Sequence, residues 1–224
     1  MYFPADLNNG NVLWGINTYD TNTKHDLLGQ PQKIPLTTWK QGELVKPVEI
    51  PQNLINEETA CLCDFGMAIK AGTSVKTKWQ SPAFYCAPER FHNADPSLAS
   101  DMWSYMCIFA ELYLGFCPFY DAYHSSLMAN LVYVIGPLPE QWKGLFNGAG
   151  TSDDSWYDST RKPVPSMTLS AMIERMRPET GPTERKLVLS VMSKGFRYVP
   201  EQRLTAAELL QDPSFTALMD MYRC

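Results

Sequence analysis

Three short stretches decide how this chain is read: Cys63-Asp64-Phe65-Gly66, then Ala87-Pro88-Glu89, then Asp101-Met102-Trp103-Ser104. The first closes a short apolar run, Ala60 to Asp64, that reads as a strand; a loop then leads to Pro88-Glu89. The third opens Met102 to Tyr120, 19 residues carrying a single charge, Glu111. That length approaches a membrane span. Ser104, the Gly and Pro near its end, and a mid-stretch carboxylate that lipid would penalise favour a helix buried on all sides in a soluble core. Met102, Met106, Phe109, Leu112 and Tyr113 recur at helical spacing, which predicts a helix over Leu98 to Gly115.

Working outward, Leu7 to Ile16 reads as a turn and a short strand ending near Trp14. Residues 17–56, studded with Pro31, Pro35, Pro47 and Pro51, read as an irregular insertion. Downstream the pattern is helical over Ser126 to Ile135 and ends at Gly136-Pro137. Two more helices are expected over Thr168 to Met176 and Thr183 to Lys194, after a loop at Asn147 to Ser166. Thr205-Ala206-Ala207-Glu208 is a capping box that starts the last helix.

The composition suits one packed domain. The chain has 224 residues, 45% of them apolar, and a net charge of −5 with no basic face, which excludes a general nucleic-acid or anionic-membrane binder. Six cysteines are too sparse for a disulfide scaffold, and without a signal peptide they predict a reducing compartment, cytoplasm and/or nucleus. Cys61 and Cys63 read as buried thiols on one strand face rather than zinc ligands. His25, His92 and His124 read as surface or loop residues, and Met167, Met172, Met176, Met192, Met219 and Met221 as mostly core.

The candidate chemistry lies in Asp6, Asn11 and Asp64. Phosphoryl transfer needs a carboxylate to orient a nucleophile's proton, and an amide oxygen and second carboxylate to hold magnesium against phosphates. Alone, each residue reads rather as a turn residue capping backbone N–H groups. Their order with Ala87-Pro88-Glu89, Asp101 and Arg203-Leu204-Thr205-Ala206 makes the chain resemble the C-terminal lobe of a eukaryotic protein kinase, from Asp6 to about Phe215. The implied fold is mainly α, the large kinase lobe with a few short strands around the catalytic loop and the Asp64-Phe65-Gly66 segment. Residues 1–224 would form one kinase-like domain, with 64–89 the activation segment.

Within that superfamily the chain most resembles the SR-protein kinase-like group, particularly its fungal members. Asp6 and Asp64 lie 64 − 6 = 58 positions apart, and Leu27-Leu28-Gly29-Gln30-Pro31 looks like that group's insertion. Gly136 to Trp142 resembles the segment after a late helix in related kinases. The resemblance implies ATP and Mg2+ as cofactors and a protein Ser/Thr hydroxyl, in an Arg/Ser-rich substrate, as acceptor. Asp6 would be the catalytic base; Asn11 and Asp64 would be metal ligands, with Phe65 and Gly66 completing the nucleotide-binding segment. Glu89 and Arg203 would form a buried ion pair, and Asp101 would brace the catalytic loop.

The chain departs from the family pattern at several positions. Pro4-Ala5 stands where His-Arg precedes the catalytic Asp, Asn8 where a Lys faces the γ-phosphate, Met106 where the buried helix has Gly, and Cys86 where an Arg precedes Ala-Pro-Glu. Ser81 aligns with the hydroxyl that contacts the catalytic Asp. Only five residues precede Asp6, so a Gly-rich loop, strand Lys and partner Glu are expected to be absent, as in a truncated kinase. The alternatives are a kinase-fold remnant acting as a binding module, and an aminoglycoside phosphotransferase-like small-molecule kinase. Apolar surfaces that such a lobe would cover are expected to be exposed, so the isolated chain should aggregate or have low stability. Light scattering with thermal unfolding tests this; a monomer with a sharp, high-temperature transition contradicts it.

Overall fold

A computed structural model describes residues 1–16, 33–34, 44–45, 55–79, 82–119, 126–148 and 150–222. They divide into two units, one of residues 1–9 with 64–224, the other of residues 10–63. The smaller unit is a strand pair: β2, Val12–Ile16, runs antiparallel to β5, Ile55–Leu62, with a register shift between Trp14 and Gly15. Beside it β3, Lys33–Ile34, pairs with β4, Leu44–Val45. The strand expected over Ala60 to Asp64 is thus longer and starts at Ile55, and the insertion holds a short ladder rather than irregular chain alone. Asn-Glu-Glu-Thr at residues 56–59 hid β5, because its polar run has no apolar alternation.

The larger unit is mainly helical. Among its described residues one strand pair joins β1, Tyr2–Phe3, to β6, Ile69–Lys70. At its centre α1, Leu98–Leu114, has both ends as the sequence predicts. Ser97 and Ser100 form a reciprocal capping box, and Gly115 closes the helix in the left-handed region at φ +84°. The helix is not buried all round: Leu112 is 75% exposed, and the buried face is that of Trp103, Met106, Cys107 and Ala110. Among the described residues no helix is long and apolar enough to cross a membrane.

Around α1 lie α2, Leu127–Val134, α3, Leu169–Met176, α4, Pro182–Gly195, α5, Ala206–Gln211, and α6, Pro213–Tyr222. The Thr205 capping box starts α5 as expected, but α5 is not the last helix. Asp212 accepts hydrogen bonds from the N–H groups of Ser214 and Phe215, and Pro213 fits the first turn, so the chain restarts at once. The stretch 147–166 also contains a 3-10 turn, Asp154–Tyr157, that buries Trp156 and Tyr157. The segment from Asp64 to Pro88 likewise holds 3-10 turns at Phe65–Met67 and Ala83–Tyr85.

Trp103 organises the core, stacking on Phe119 at 5.3 Å and meeting Phe196 edge-on at 5.1 Å. Several expectations fail against this packing. Cys61 is exposed and Cys63 half-buried rather than in a core; the β2–β5 ladder leaves Leu13, Trp14 and Leu62 exposed as well. Of the methionines, Met172 and Met192 are buried, whereas Met176 and Met221 are exposed. His92 is buried, not on the surface; His25 and His124 lie outside the described residues. The His92 ring stacks on Trp142 at 4.8 Å. Its Nδ1 lies 2.7 Å from the Pro88 carbonyl and its Nε2 2.8 Å from the Tyr157 hydroxyl. A carbonyl only accepts, so Nδ1 carries the proton and Nε2 accepts from Tyr157. Burial lowers the pKa of this ring, which favours that neutral form.

Met106, fully buried, is accommodated by Gly195. A Cβ there would lie 2.4 Å from Met106 Cε and 2.8 Å from Cγ. We predict that Gly195→Ala destabilises the chain by about 1–3 kcal/mol in urea unfolding, the cost of overpacking a filled core. In the Met106→Ala background the same change should cost less; an equal cost in both backgrounds would contradict the pairing.

Candidate active site

The site begins with an unusual residue. Ala5 is buried and has φ +61°, a left-handed conformation that costs an L-residue roughly 1–2 kcal/mol. Its peptide is held from two sides: the Ala5 N–H donates to Asp101 Oδ2 at 3.2 Å, and the Ala5 carbonyl accepts from Arg90 Nη1 at 3.2 Å. Asp6 follows directly. Its carboxyl is raised above the ordinary carboxylate value, chiefly by burial and further by the negative charge of Asp64; Asn8 and Arg90 pull it back. The Asn8 side-chain amide also donates to the Asp6 carbonyl at 3.1 Å.

Asp64 is exposed and left-handed too, at φ 55° and ψ 73°. Its Oδ1 accepts from the Gly66 N–H at 3.2 Å, capping the 3-10 turn Phe65–Met67 and leaving Phe65 exposed. Asn11 belongs to the smaller unit, where it ends the turn Asn9–Asn11 ahead of β2 and its carbonyl accepts from Cys63 N–H at 2.9 Å. A cavity of about 450 Å³ adjoins Asp6, lined by Val75, Thr77, Trp79 and Arg90 among others. Ser81 lies outside the described residues.

The structure brings Glu89 and Arg203 together as a bidentate pair, 2.9 Å on each side, with both side chains almost fully buried. Ser100 Oγ donates to the same carboxylate at 3.1 Å. Three more contacts tie the loop to α1. Asn9 donates to Glu111 Oε1 at 3.0 Å, the Tyr85 hydroxyl donates to Glu111 Oε2, and Ser104 Oγ donates to the Tyr85 carbonyl at 2.8 Å. Burial and the Glu111 carboxylate raise the Tyr85 pKa, so it stays the donor. Sequence reasoning missed Arg90 and Tyr85. The one available signal was Glu111, a lone charge in an apolar helix that needed a partner.

Asp101 carries a cost. Pro4 has no N–H, so the dipeptide Pro4-Ala5 offers one donor, and the buried Oδ1 of Asp101 has no hydrogen-bond partner among the described residues. Burial pushes the carboxyl up to about 6, with Asp6 adding to the rise while the Ala5 N–H and Arg90 oppose it. Between about pH 4 and pH 6 the unfolded chain therefore gives up this proton before the folded chain does. Stability from this group is present at low pH and falls as pH rises through that window, by on the order of 2–3 kcal/mol. We predict that Asp101→Asn removes this decline, seen as a flatter unfolding free energy from pH 4 to 7; parallel pH profiles would contradict it.

Comparison with known proteins places these features. Residues 50–215, which include Asp64, Glu89, Asp101 and Arg203, match the protein kinase domain; the Asp6 loop lies ahead of that match. Glycogen synthase kinase 3 of Trypanosoma brucei brucei is 28% identical over 186 residues, covering 79% of this chain and 46% of that protein. Protein kinase gsk3 of Schizosaccharomyces pombe is 31% identical over 176 residues, 76% of this chain and 42% of its own length. Mitogen-activated protein kinase 5 of Oryza sativa subsp. japonica is 29% identical over 175 residues, 76% and 44%. The chain spans less than half the length of these relatives, none of which bears an SR-protein kinase name. With its left-handed Asp64-Phe65-Gly66 turn and its Glu89–Arg203 pair, the chain belongs to the protein kinase domain family.

Proposed function

We propose that this chain carries the catalytic loop and substrate-binding part of a serine/threonine protein kinase, transferring the γ-phosphate of ATP to a protein hydroxyl. The observation that carries the reading is the juxtaposition at Asp6. A carboxylate on a strained, doubly anchored peptide senses the charge of Asp64 and opens onto a cavity of about 450 Å³. Asp6 orients the acceptor hydroxyl and takes its proton; its raised pKa brings it closer to the operating pH of a general base.

Asp64 and Asn11 would hold Mg2+ through oxygen. The described residues contain no group of three or more His, Cys, Asp or Glu that could cage a metal. An exposed carboxylate such as that of Asp64 suits a cation that keeps its waters and completes its shell on phosphate. Bound Mg2+ would supply charge neutralisation for the phosphates. Asn8 in place of a cation leaves the transferring phosphoryl group with less positive charge from the loop, which favours slow turnover.

The finer placement in the SR-protein kinase-like group rests on the 58-position gap between Asp6 and Asp64 and on residues 27–31. It makes Arg/Ser-rich proteins of the cytoplasm and nucleus the expected substrates. The second reading, a kinase-fold binding module, is favoured by the same replacements at Pro4, Ala5 and Asn8.

The test is phosphate transfer from Mg-ATP to an Arg/Ser-rich peptide and to a Ser/Thr peptide without arginine. Asp6→Asn and Asp64→Ala should each lower transfer on the order of 10²–10⁴-fold. If the chain neither binds Mg-ATP nor transfers phosphate, and Asp64→Ala changes nothing, the enzymatic reading fails and the binding module stands. Equal transfer to both peptides would count against the SR-protein kinase-like placement.

A further inference from the structure

Arg90 immediately follows Ala87-Pro88-Glu89 and is 3% exposed. Its Nε donates to the Lys78 carbonyl and its Nη1 to the Ala5 carbonyl. One rigid fork thus spans two backbone segments, 85 residues and 12 residues away along the chain. The Ala5 peptide is the strained one, at φ +61°, and Ala itself has no side chain with which to hold that conformation. Asp101 grips its N–H and Arg90 its carbonyl, so the two together fix the direction in which the next residue, Asp6, leaves the backbone.

We propose that Arg90 is a positioning residue for Asp6, clamping Ala5 in its left-handed conformation from the carbonyl side and placing a fixed positive charge beneath the catalytic loop. It acts through Ala5 and does not touch the transferring phosphate. The Lys78 arm adds a consequence. Lys78 pairs with Asp95, and Asp95 also accepts from Val75 N–H at 2.9 Å, so the segment 75–79 beside the cavity is tied to the same guanidinium. The charge of Arg90 lowers the Asp6 and Asp101 carboxyls, in keeping with its place between them.

This inference rests on the kinase reading for its catalytic consequence, and two readouts separate their failures. The first needs no turnover: a carbon-13 carboxyl titration of Asp6 in the nucleotide-free chain. Arg90→Gln should move the Asp6 midpoint upward by roughly half a pH unit or more; an unmoved midpoint overturns the inference whether or not the chain is active. The second is steady-state transfer. Arg90→Gln should lower kcat roughly tenfold or more with the KM for ATP within about twofold, since misaiming a catalytic group costs rate more than binding. In the Ala5→Gly background, where φ +61° is free of strain, the loss should shrink to about threefold or less. An equal loss in both backgrounds would mean that Arg90 only packs, and would overturn the clamp. Arg90→Lys keeps the charge but not the fork, so it should lower kcat with the Asp6 midpoint retained; it also serves if Arg90→Gln does not fold. Absence of transfer in the unsubstituted chain would sink the kinase reading and leave the titration to decide the clamp.

Discussion

The larger unit depends on the Glu89–Arg203 pair. Arg203 uses all five of its N–H donors: two to Glu89, and one each to the carbonyls of Arg197, Tyr198 and Ala99. Its guanidinium also lies over the Trp103 ring at 5.1 Å. Three segments distant in sequence, the Ala87-Pro88-Glu89 turn, the start of α1 and the loop before α5, are joined at one buried point. Desolvating both charges is expensive, and the bidentate geometry with every donor filled is what offsets it. Removing one partner would strand a buried charge, at a cost of about 3–5 kcal/mol.

From that point α1 serves as the rail along which the loop and the 84–89 segment are fixed. Ser100 reaches Glu89, Ser104 the Tyr85 carbonyl, Cys107 the Phe84 carbonyl, and Glu111 both Tyr85 and Asn9. These positions follow i, i+4, i+7 and i+11, one stripe of a helix. The apolar look of residues 102–120 and the polar stripe are therefore compatible. The helix buries aromatic and aliphatic side chains on one part of its surface and uses a narrow seam of hydrogen bonds to register its neighbours. Asp101, one residue off the head of that seam, passes the same constraint to Ala5 and hence to Asp6.

Much of this was legible because it is written in short-range signals. The extent of α1 follows from the helical spacing of Met102, Met106, Phe109, Leu112 and Tyr113, the start of α5 from Thr205 and Glu208, and the order of Asp64, Glu89, Asp101 and Arg203 from motif spacing. What stayed hidden is long-range. Nothing around Gly195 announces that it makes room for Met106, since the two meet only after α1 and α4 pack. His92 reads as a polar loop residue until Pro88 and Tyr157 satisfy both its nitrogens. Residues 56–59 are too polar to read as strand; they span the register shift, with Asn56 paired to Gly15 on one side and Ala60 to Trp14 on the other. Arg90 gives no local sign of its role, because the Ala5 carbonyl that it serves lies 85 residues away along the chain.

The central claim is that α1 holds the Asp6 loop through Asp101 rather than merely lying near it. The most direct measurement is amide hydrogen exchange at Ala5, compared with mid-helix amides of α1 such as Cys107. The account predicts that the Ala5 amide, outside any helix yet hydrogen-bonded to a buried carboxylate, exchanges as slowly as those helix amides and opens only with them. Exchange at Ala5 as fast as at a frayed terminus, with α1 still protected, would contradict it.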